Sequence, residues 1–219
     1  MMPCHFDLVF CMDASAAMGR ELRRVTRMVM RLLDDLIEQS ENVGHQVQHL
    51  RARLVIFRSC GTEPIRESRF FTLPQEASEF ARHLTSVQAA GGEPGASGGL
   101  AALACAIGSD WQYIEGEINR QCIVLFTASP PQPLEDADAK QACPDSMPRD
   151  FEALAAMWNG DGAETAMDQR SKRLYLFAPE CPEWQRLASA WNNMMYVPCP
   201  AGRGLEAHEY EWIVHTMVE

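Results

Sequence analysis

The stretch that decides the fold is HFDLVFCMDASAAM, residues 5–18. It is an apolar run of strand length that ends at Asp13 and then passes through a short turn, ASAAMG. The segment that follows, residues 20–39, carries apolar side chains at helical spacing, at Leu22, Val25, Val29, Leu32, Leu33 and Leu36. Because one apolar stripe at this spacing is typical of a helix packed on a core, the chain is predicted to begin with a strand and a long helix.

The rest of the chain repeats this alternation. Strand patterns occupy 48–59, 68–73, 120–127, 172–178 and 193–199, and helix patterns occupy 75–87, 99–107, 149–158, the segment around Trp184 and Leu187, and 205–217. The alternation predicts an α/β fold, a Rossmann-like three-layer sandwich whose mostly parallel sheet of about six strands has helices on both faces. The segments 54–59 and 68–73 have a short connection, so they are predicted to form an antiparallel hairpin at one edge of the sheet.

Composition limits the function classes. The chain has 219 residues, which suits a single domain over 1–219 with a long connection at about 129–171. The 30 acidic residues outnumber the 19 Lys and Arg residues, for a net charge of -11, which disfavours nucleic acid and membrane surfaces as partners. The start of the chain lacks a signal-peptide pattern, and the eight cysteines form no CxxC pair, so we expect a cytoplasmic protein with reduced thiols.

Four loops are expected to meet at one edge of the sheet. In open α/β sheets, ligands bind outside the carboxyl ends of the strands. The segments at these ends are residues 13–19, 59–61, 91–99 and 127–131. The third segment is rich in glycine, but it lacks the Lys-Ser/Thr ending of a phosphate-binding loop. The search for functional residues therefore concentrates on this edge, which we call the strand-end edge.

The order of these loops resembles the von Willebrand factor A family. The resemblance rests on Asp13, Ser15 and Met18 in the pattern Asp-x-Ser-x-x-Met, on the Gly-Gly loop before an Ala/Leu helix, and on the strand IVLFT before a proline-containing turn. These motifs cover about residues 6–131, and the remainder is similar in its rhythm of strands and helices. The resemblance implies a protein–protein interaction module with partners at the strand-end edge, as in cytosolic bacterial members of multi-protein systems.

The family pattern also implies a divalent cation site, from which this sequence departs. The family offers Asp-x-Ser-x-Ser, a Thr and an Asp on three loops, and these are oxygen ligands of the kind that Mg²⁺ prefers. Asp13 and Ser15 match this pattern, and the Thr position falls near Glu93. The second Ser and the last Asp are replaced by Ala17 and Ala128, which have no side-chain oxygen.

Two interpretations of these residues follow. In the first, the site is degenerate, Asp13 and Ser15 bond backbone amides at the start of the first helix, and the chain is a metal-independent adaptor or scaffold without a cofactor. In the second, Asp13, Ser15 and Glu93, helped by water or Ser129, hold Mg²⁺ or Mn²⁺, and a carboxylate of a protein partner completes the coordination. We predict the first, and Ser129 is then a candidate for direct contact with the partner.

The first helix carries a basic stripe at spacings of four, three and four, formed by Arg20, Arg24, Arg27 and Arg31, with Arg23 beside it. In an acidic chain, this local inversion of charge is a candidate docking surface for an acidic partner. The alternative is a solvated face on which the arginines pair with acids later in the same helix, Asp34, Asp35 and Glu38.

The sequence offers little for catalysis. None of the six histidines lies beside a nucleophile in a pattern such as G-x-S-x-G, and His45 and His49 lack the Glu of a zinc-protease motif. The prediction is therefore a non-enzymatic module, and a hydrolase with carboxylate or thiol chemistry at the strand-end cleft is the remaining alternative.

Overall fold

The structure, a computed structural model, describes residues 1–59, 64–92, 95–136, 147–160, 167–198 and 214–218, apart from the side chain of Arg20. The strands are β1 Met2–Asp13, β2 His45–Phe57, β3 Arg66–Glu67, β4 Phe71–Leu73, β5 Ile118–Phe126, β6 Lys172–Ala178 and β7 Met194–Pro198. The helices are α1 Gly19–Asn42, α2 Ala77–Thr85, α3 Gly99–Ile107, α4 Phe151–Asn159 and α5 Pro182–Ala190. Of the predicted last helix, 205–217, the structure describes only the end, and residues 214–218 are helical.

The strands form one mixed sheet in the order β3-β2-β1-β5-β6-β7, with β4 also paired to β2. The pairs from β2 through β7 are parallel, whereas β3 and β4 run antiparallel to β2. The predictions of a mostly parallel sheet and of an antiparallel pair at its edge are confirmed. Between the pairs Val55–Glu67 and Ala52–Phe71, β2 advances three positions and the edge segment four, so one extra residue divides the segment 66–73 into two strands. At this point the hydroxyl of Ser68 accepts the Leu54 N–H.

Helices cover both faces of the sheet, and each face has its own hydrophobic core. On β1, Phe6, Leu8 and Phe10 face α1 and α2, while Val9 and Cys11 face α3, α4 and α5. Since both faces are covered, the strand is apolar on both sides, as is typical of central parallel strands. The prediction of an α/β sandwich is confirmed at this level, and so is the packing of the helix near 149–158, whose Phe151, Leu154 and Trp158 are buried.

A buried polar layer lies where α3 stops covering β1. The nine residues of α3 span about 13 Å, against about 40 Å for β1, so the loop 108–117 covers the remainder. There the carboxylate of Asp7 accepts Arg51 Nε at 2.8 Å and the Gln112 N–H at 2.8 Å, and His5 Nε2 lies 3.0 Å away. Burial raises the pKa of Asp7, but the contacts with His5, Arg51 and Gln112 outweigh it and leave that pKa below its ordinary value.

Within the described ranges, no helix has the length and apolarity needed to cross a bilayer. Among the cysteines in these ranges, Cys4, Cys11, Cys122 and Cys181 are free thiols.

Candidate functional site

Asp13 occupies the centre of the strand-end edge, because it is the last residue of β1 and β1 lies between β2 and β5. Its side chain is fully buried. Oδ1 accepts the N–H of Ser15 at 2.8 Å, and Oδ2 accepts the hydroxyl of Thr127 at 2.7 Å. Both carboxylate oxygens are therefore engaged by donors of the chain itself, as a buried charge requires.

Buried hydroxyl groups surround this carboxylate. Thr127 follows β5 directly, and its Oγ1 lies 3.3 Å from Ser97 Oγ on the loop before α3. The same Oγ1 accepts the N–H of Ser129 at 3.2 Å. Ser97 is fully buried and Thr127 is 2% exposed. Asp13 thus connects the first loop to the third and fourth loops through the hydroxyl of Thr127, which the sequence analysis did not identify.

Ser15 lies beside Asp13 but its hydroxyl plays a different part from the one expected. It occupies the N-cap position of a 3-10 turn, Ala16–Met18, yet its side chain makes no capping hydrogen bond. The prediction that Asp13 bonds a backbone amide at this helix entrance agrees with the structure, and the same prediction for Ser15 is wrong. Ser15 is 5% exposed, and its Oγ has no hydrogen-bond partner among the described residues.

The glycine-rich loop passes close to Ser15. At Gly92, with φ of +85°, a Cβ would stand 2.9 Å from Ser15 Cβ and 3.3 Å from Ser59 Oγ. Only a residue without a side chain fits at this distance, so Gly92 closes over Ser15. The next two positions, including the candidate ligand Glu93, lie outside the described residues.

Hydrogen bonds of Arg58 connect three of the strand-end loops. Arg58 follows β2 and is buried at the edge. Its Nε donates to the carbonyl oxygens of Ala14 at 3.0 Å and Ala90 at 2.6 Å, and its Nη2 donates to that of Gln88 at 3.1 Å. Its own carbonyl accepts the Gly98 N–H at 2.7 Å. From the sequence, Arg58 was one charged residue after an apolar strand, with no signal of this role.

The fourth loop is also connected to neighbouring segments by hydrogen bonds. Pro130 O accepts the Ser97 N–H at 2.8 Å, and Ser129 O accepts the indole N–H of Trp184 at 3.2 Å. Ser129 is 7% exposed, so the structure places this predicted contact residue inside the edge rather than on its surface. Among the described residues of the four loops, the exposed ones are small, namely Ala16, Ala17, Gly19, Gly91 and Gly95.

The described residues fit a divalent cation poorly. Mg²⁺ requires near-octahedral oxygen coordination. At this edge they supply one carboxylate with both oxygens already engaged, and Ala17 and Ala128 contribute no side-chain oxygen. Nowhere in the described ranges do three or more His, Cys, Asp or Glu side chains form a cluster that could hold a metal ion.

The described side chains of the basic stripe, those of Arg24, Arg27 and Arg31, lie on the solvent side of α1, away from the buried cluster. Arg24 pairs with Glu21 at 2.9 Å, and Arg31 pairs with Asp35 at 3.0 Å. Pairing with Asp35 was among the predictions, whereas among the described residues Arg27 forms no ion pair with Asp34 or Glu38. Arg27 remains exposed.

No family model matches this chain, and no curated protein matches it either. Solved structures with a similar fold do match this chain. The pilus adhesin SpaC from Lactobacillus rhamnosus GG, in its open conformation, aligns over 98% of this chain and 30% of the adhesin, at 12% identity and a TM-score of 0.59. Another crystal form of SpaC gives the same coverages, with 11% identity and a TM-score of 0.58. The chain spans about a third of the adhesin's length, and at this identity the likeness shows a shared α/β fold.

Proposed function

We propose that this chain is a non-enzymatic protein-interaction module of the von Willebrand factor A type, which acts as a metal-independent adaptor or scaffold. The observation that carries the proposal is the state of Asp13, whose two carboxylate oxygens accept the Ser15 N–H and the Thr127 hydroxyl. A carboxylate so engaged holds loops together, and with Ala17 and Ala128 at two other ligand positions the described residues of the edge offer a cation few side-chain oxygens. Binding then comes from the exposed backbone and small side chains of the loops.

The rigidity of the edge supports this role. Arg58, Asp13 and Trp184 each bind backbone or hydroxyl groups of neighbouring loops, so the loop surface is fixed before a partner arrives. Function in α/β folds is commonly located on such loops at the carboxyl ends of the strands. The occurrence of a similar fold within a pilus adhesin is further support for an interaction role. A cytoplasmic setting with reduced thiols stays a prediction from the sequence.

One observation favours the cation-dependent alternative, in which Asp13, Ser15 and Glu93 hold Mg²⁺ or Mn²⁺. The hydroxyl of Ser15 is buried beside Asp13 without a hydrogen-bond partner among the described residues, and such atoms are rare in folded proteins. A cation at this position would give that oxygen a role.

The hydrolase alternative has less support. Burial raises the pKa of the Cys4 thiol to about 11 and that of Cys122 to about 12. Cys11 is fully buried, and burial raises its pKa well above the ordinary value too. Thiols in this state are protonated at neutral pH and are poor nucleophiles. We therefore propose no catalytic role for these cysteines.

The cation question is tested by thermal unfolding with Mg²⁺, Mn²⁺ or EDTA. For the wild type, we expect the same thermal midpoint in all three conditions. For Asp13→Asn, we also expect one midpoint in all three conditions, whatever its difference from the wild type. Asp34→Asn, on the exposed face of α1, is the control for nonspecific cation effects. A midpoint that rises with cation in the wild type and in Asp34→Asn, but not in Asp13→Asn, would establish the cation-dependent alternative.

The interaction role is tested by capture of binding partners from native lysate in EDTA. We expect Ala17→Arg, on the exposed strand-end edge, to abolish the specific capture seen with the wild type. Tyr113→Arg is the matched control, because Tyr113 is 61% exposed on the loop at the opposite end of β5. Equal loss in both variants, or capture that needs added Mg²⁺, would contradict the proposal.

A further inference from the structure

The solvent face of α1 carries a regular series of charges. Positions at alternating spacings of four and three are Arg20, Arg24, Arg27, Arg31, Asp34, Glu38 and Glu41. From Arg24 onward, all of these residues are exposed. We call this series the α1 seam. Its first half is entirely basic and its second half is entirely acidic, on a line that runs along the middle of the exposed face.

This order of charges does not stabilise α1 through its helix dipole. A helix favours acidic residues near its amino end and basic residues near its carboxyl end. In α1, Glu21 is the acidic residue of the first turn, and the last turn has no basic residue. The core contacts come from the opposite side, from residues such as Leu22, Val29 and Leu36. Neither the helix dipole nor core packing therefore accounts for the seam.

Only some of the seam charges form ion pairs with described residues of the same chain. Arg24 pairs with Glu21 and Arg31 with Asp35, and neither of those acids belongs to the seam. Among the described residues, Arg27, Asp34 and Glu38 form no ion pair. The seam thus presents a basic half and an acidic half to solvent.

We propose that the α1 seam is the contact surface for a second copy of this chain, with the two α1 helices antiparallel. If a twofold axis passes midway between positions 32 and 33, the basic positions 24, 27 and 31 each face an acidic one, and Arg20 lies beyond the matched part of the seam. Arg24 then lies opposite Glu41 of the second copy, Arg27 opposite Glu38, and Arg31 opposite Asp34. By symmetry each pair occurs twice, as in any twofold interface formed by the same patch on both copies.

The spacing of the seam supports side-by-side packing along its length. Its average repeat of 3.5 residues is the repeat that keeps one line of a helix facing a neighbouring helix. From Arg24 to Glu41 the line extends about 25 Å, at about 1.5 Å per residue. An acidic segment of another protein would match only the basic half and would leave Asp34 and Glu38 facing like charge. A second copy matches both halves, and charge complementarity therefore favours it.

The chemistry of the contact predicts its behaviour. Ion pairs between exposed side chains are weak individually and are screened by salt. The self-association should therefore be reversible, and its dissociation constant should rise at least about tenfold between low ionic strength and about 1 M salt, where screening acts within about 3 Å.

Sedimentation velocity on four forms of the protein tests this inference. The first variant, Arg24→Glu with Arg27→Glu and Arg31→Glu, is acidic at every seam position from 24 onward, and the second, Asp34→Arg with Glu38→Arg and Glu41→Arg, is basic at every seam position. We expect each variant alone to be monomeric and an equimolar mixture of the two to form heterodimers. The combined six-substitution variant, which has the net charge of the wild type, should form homodimers again. Arg82→Glu, an exposed charge change on α2, should associate as the wild type does.

Circular dichroism and thermal unfolding establish that each variant is folded, which is expected because the seam is exposed. A wild type that stays monomeric at low salt, or triple variants that dimerise as well as the wild type, would overturn the inference. So would a monomeric wild type that binds an acidic peptide through the basic half, because the occupant would then be a different protein. A mixture of the two triple variants that stays monomeric would also overturn it.

Discussion

The hydroxyl of Thr127 is the most informative single group at the strand-end edge. Thr127→Val keeps the shape of the side chain and removes Oγ1. The loss would deprive the buried Asp13 carboxylate of its 2.7 Å hydrogen bond, and it would leave the Ser129 N–H without the acceptor now 3.2 Å away. Since Thr127 is 2% exposed, water has little access to replace either contact.

The magnitude follows from these two contacts. A hydrogen bond to a charged group contributes about 1.5–3 kcal/mol, and an unsatisfied buried amide costs about 1 kcal/mol or more. The expected loss in the free energy of unfolding is therefore about 3 kcal/mol. For a domain of this size, each kcal/mol corresponds to about 2–4 °C in the thermal midpoint. The variant should thus unfold about 6–12 °C below the wild type.

Urea unfolding measures this loss, provided that the dependence on urea concentration is unchanged between variants. Thr127→Ser is the matched control, because it keeps the hydroxyl and loses one methyl group, at a cost of about 1 kcal/mol. A valine variant within about 0.5 kcal/mol of the wild type would refute the argument, since it would mean that Asp13 does not depend on this hydroxyl. Equal losses for Val and Ser would assign the effect to packing instead.

Two further changes probe other parts of the fold. Gly92→Ala should cost about 1–3 kcal/mol more than Gly91→Ala in urea unfolding, because both have positive φ but only Gly92 brings a Cβ within 2.9 Å of Ser15; equal losses would contradict this. Asp7→Asn should cost about 3 kcal/mol at pH 7, by breaking the buried pair with Arg51. Because the pKa of Asp7 is lowered in the folded state, this stabilisation is present above its unfolded pKa of about 3.9 and is lost as the pH falls below that value. The difference in the free energy of unfolding between wild type and variant should therefore narrow as the pH falls from about 4 to 2. A constant difference would refute the prediction.

The order of strands and helices could be predicted because the spacing of apolar residues along the sequence indicates which sides of each element are buried. Residues 8–12 of β1 and 174–178 of β6 are continuous apolar runs since helices cover both faces of these strands, and α1 shows one stripe since only one side meets the sheet. The division between β3 and β4 could not be predicted in this way. It accompanies one extra residue in the edge segment between the pairs Val55–Glu67 and Ala52–Phe71, and hydropathy has no signal for such a shift in register.

The site could be predicted as an edge but not as a set of contacts. Asp13 was identifiable from its place after a buried strand, whereas its partner Thr127 is 114 residues away. Their meeting depends on the register of β1 on β5, which sets Met12 opposite Phe126 and brings the two following residues together. Register of parallel strands is decided by packing across the whole sheet, so the sequence named the loop that contains Thr127 without naming the residue.

The guanidinium of Arg58 has a consequence for recognition. Flexible binding loops lose conformational freedom when a partner immobilises them, and that loss opposes association. Here the carbonyl groups of Ala14, Gln88 and Ala90 are already tied to one buried cation inside the free protein. The entropy of ordering these three positions is therefore spent during folding, and a partner of the proposed kind would meet a surface that is preorganised there. Affinity at such a surface depends chiefly on shape complementarity and on the dissociation rate, with little conformational adjustment on encounter.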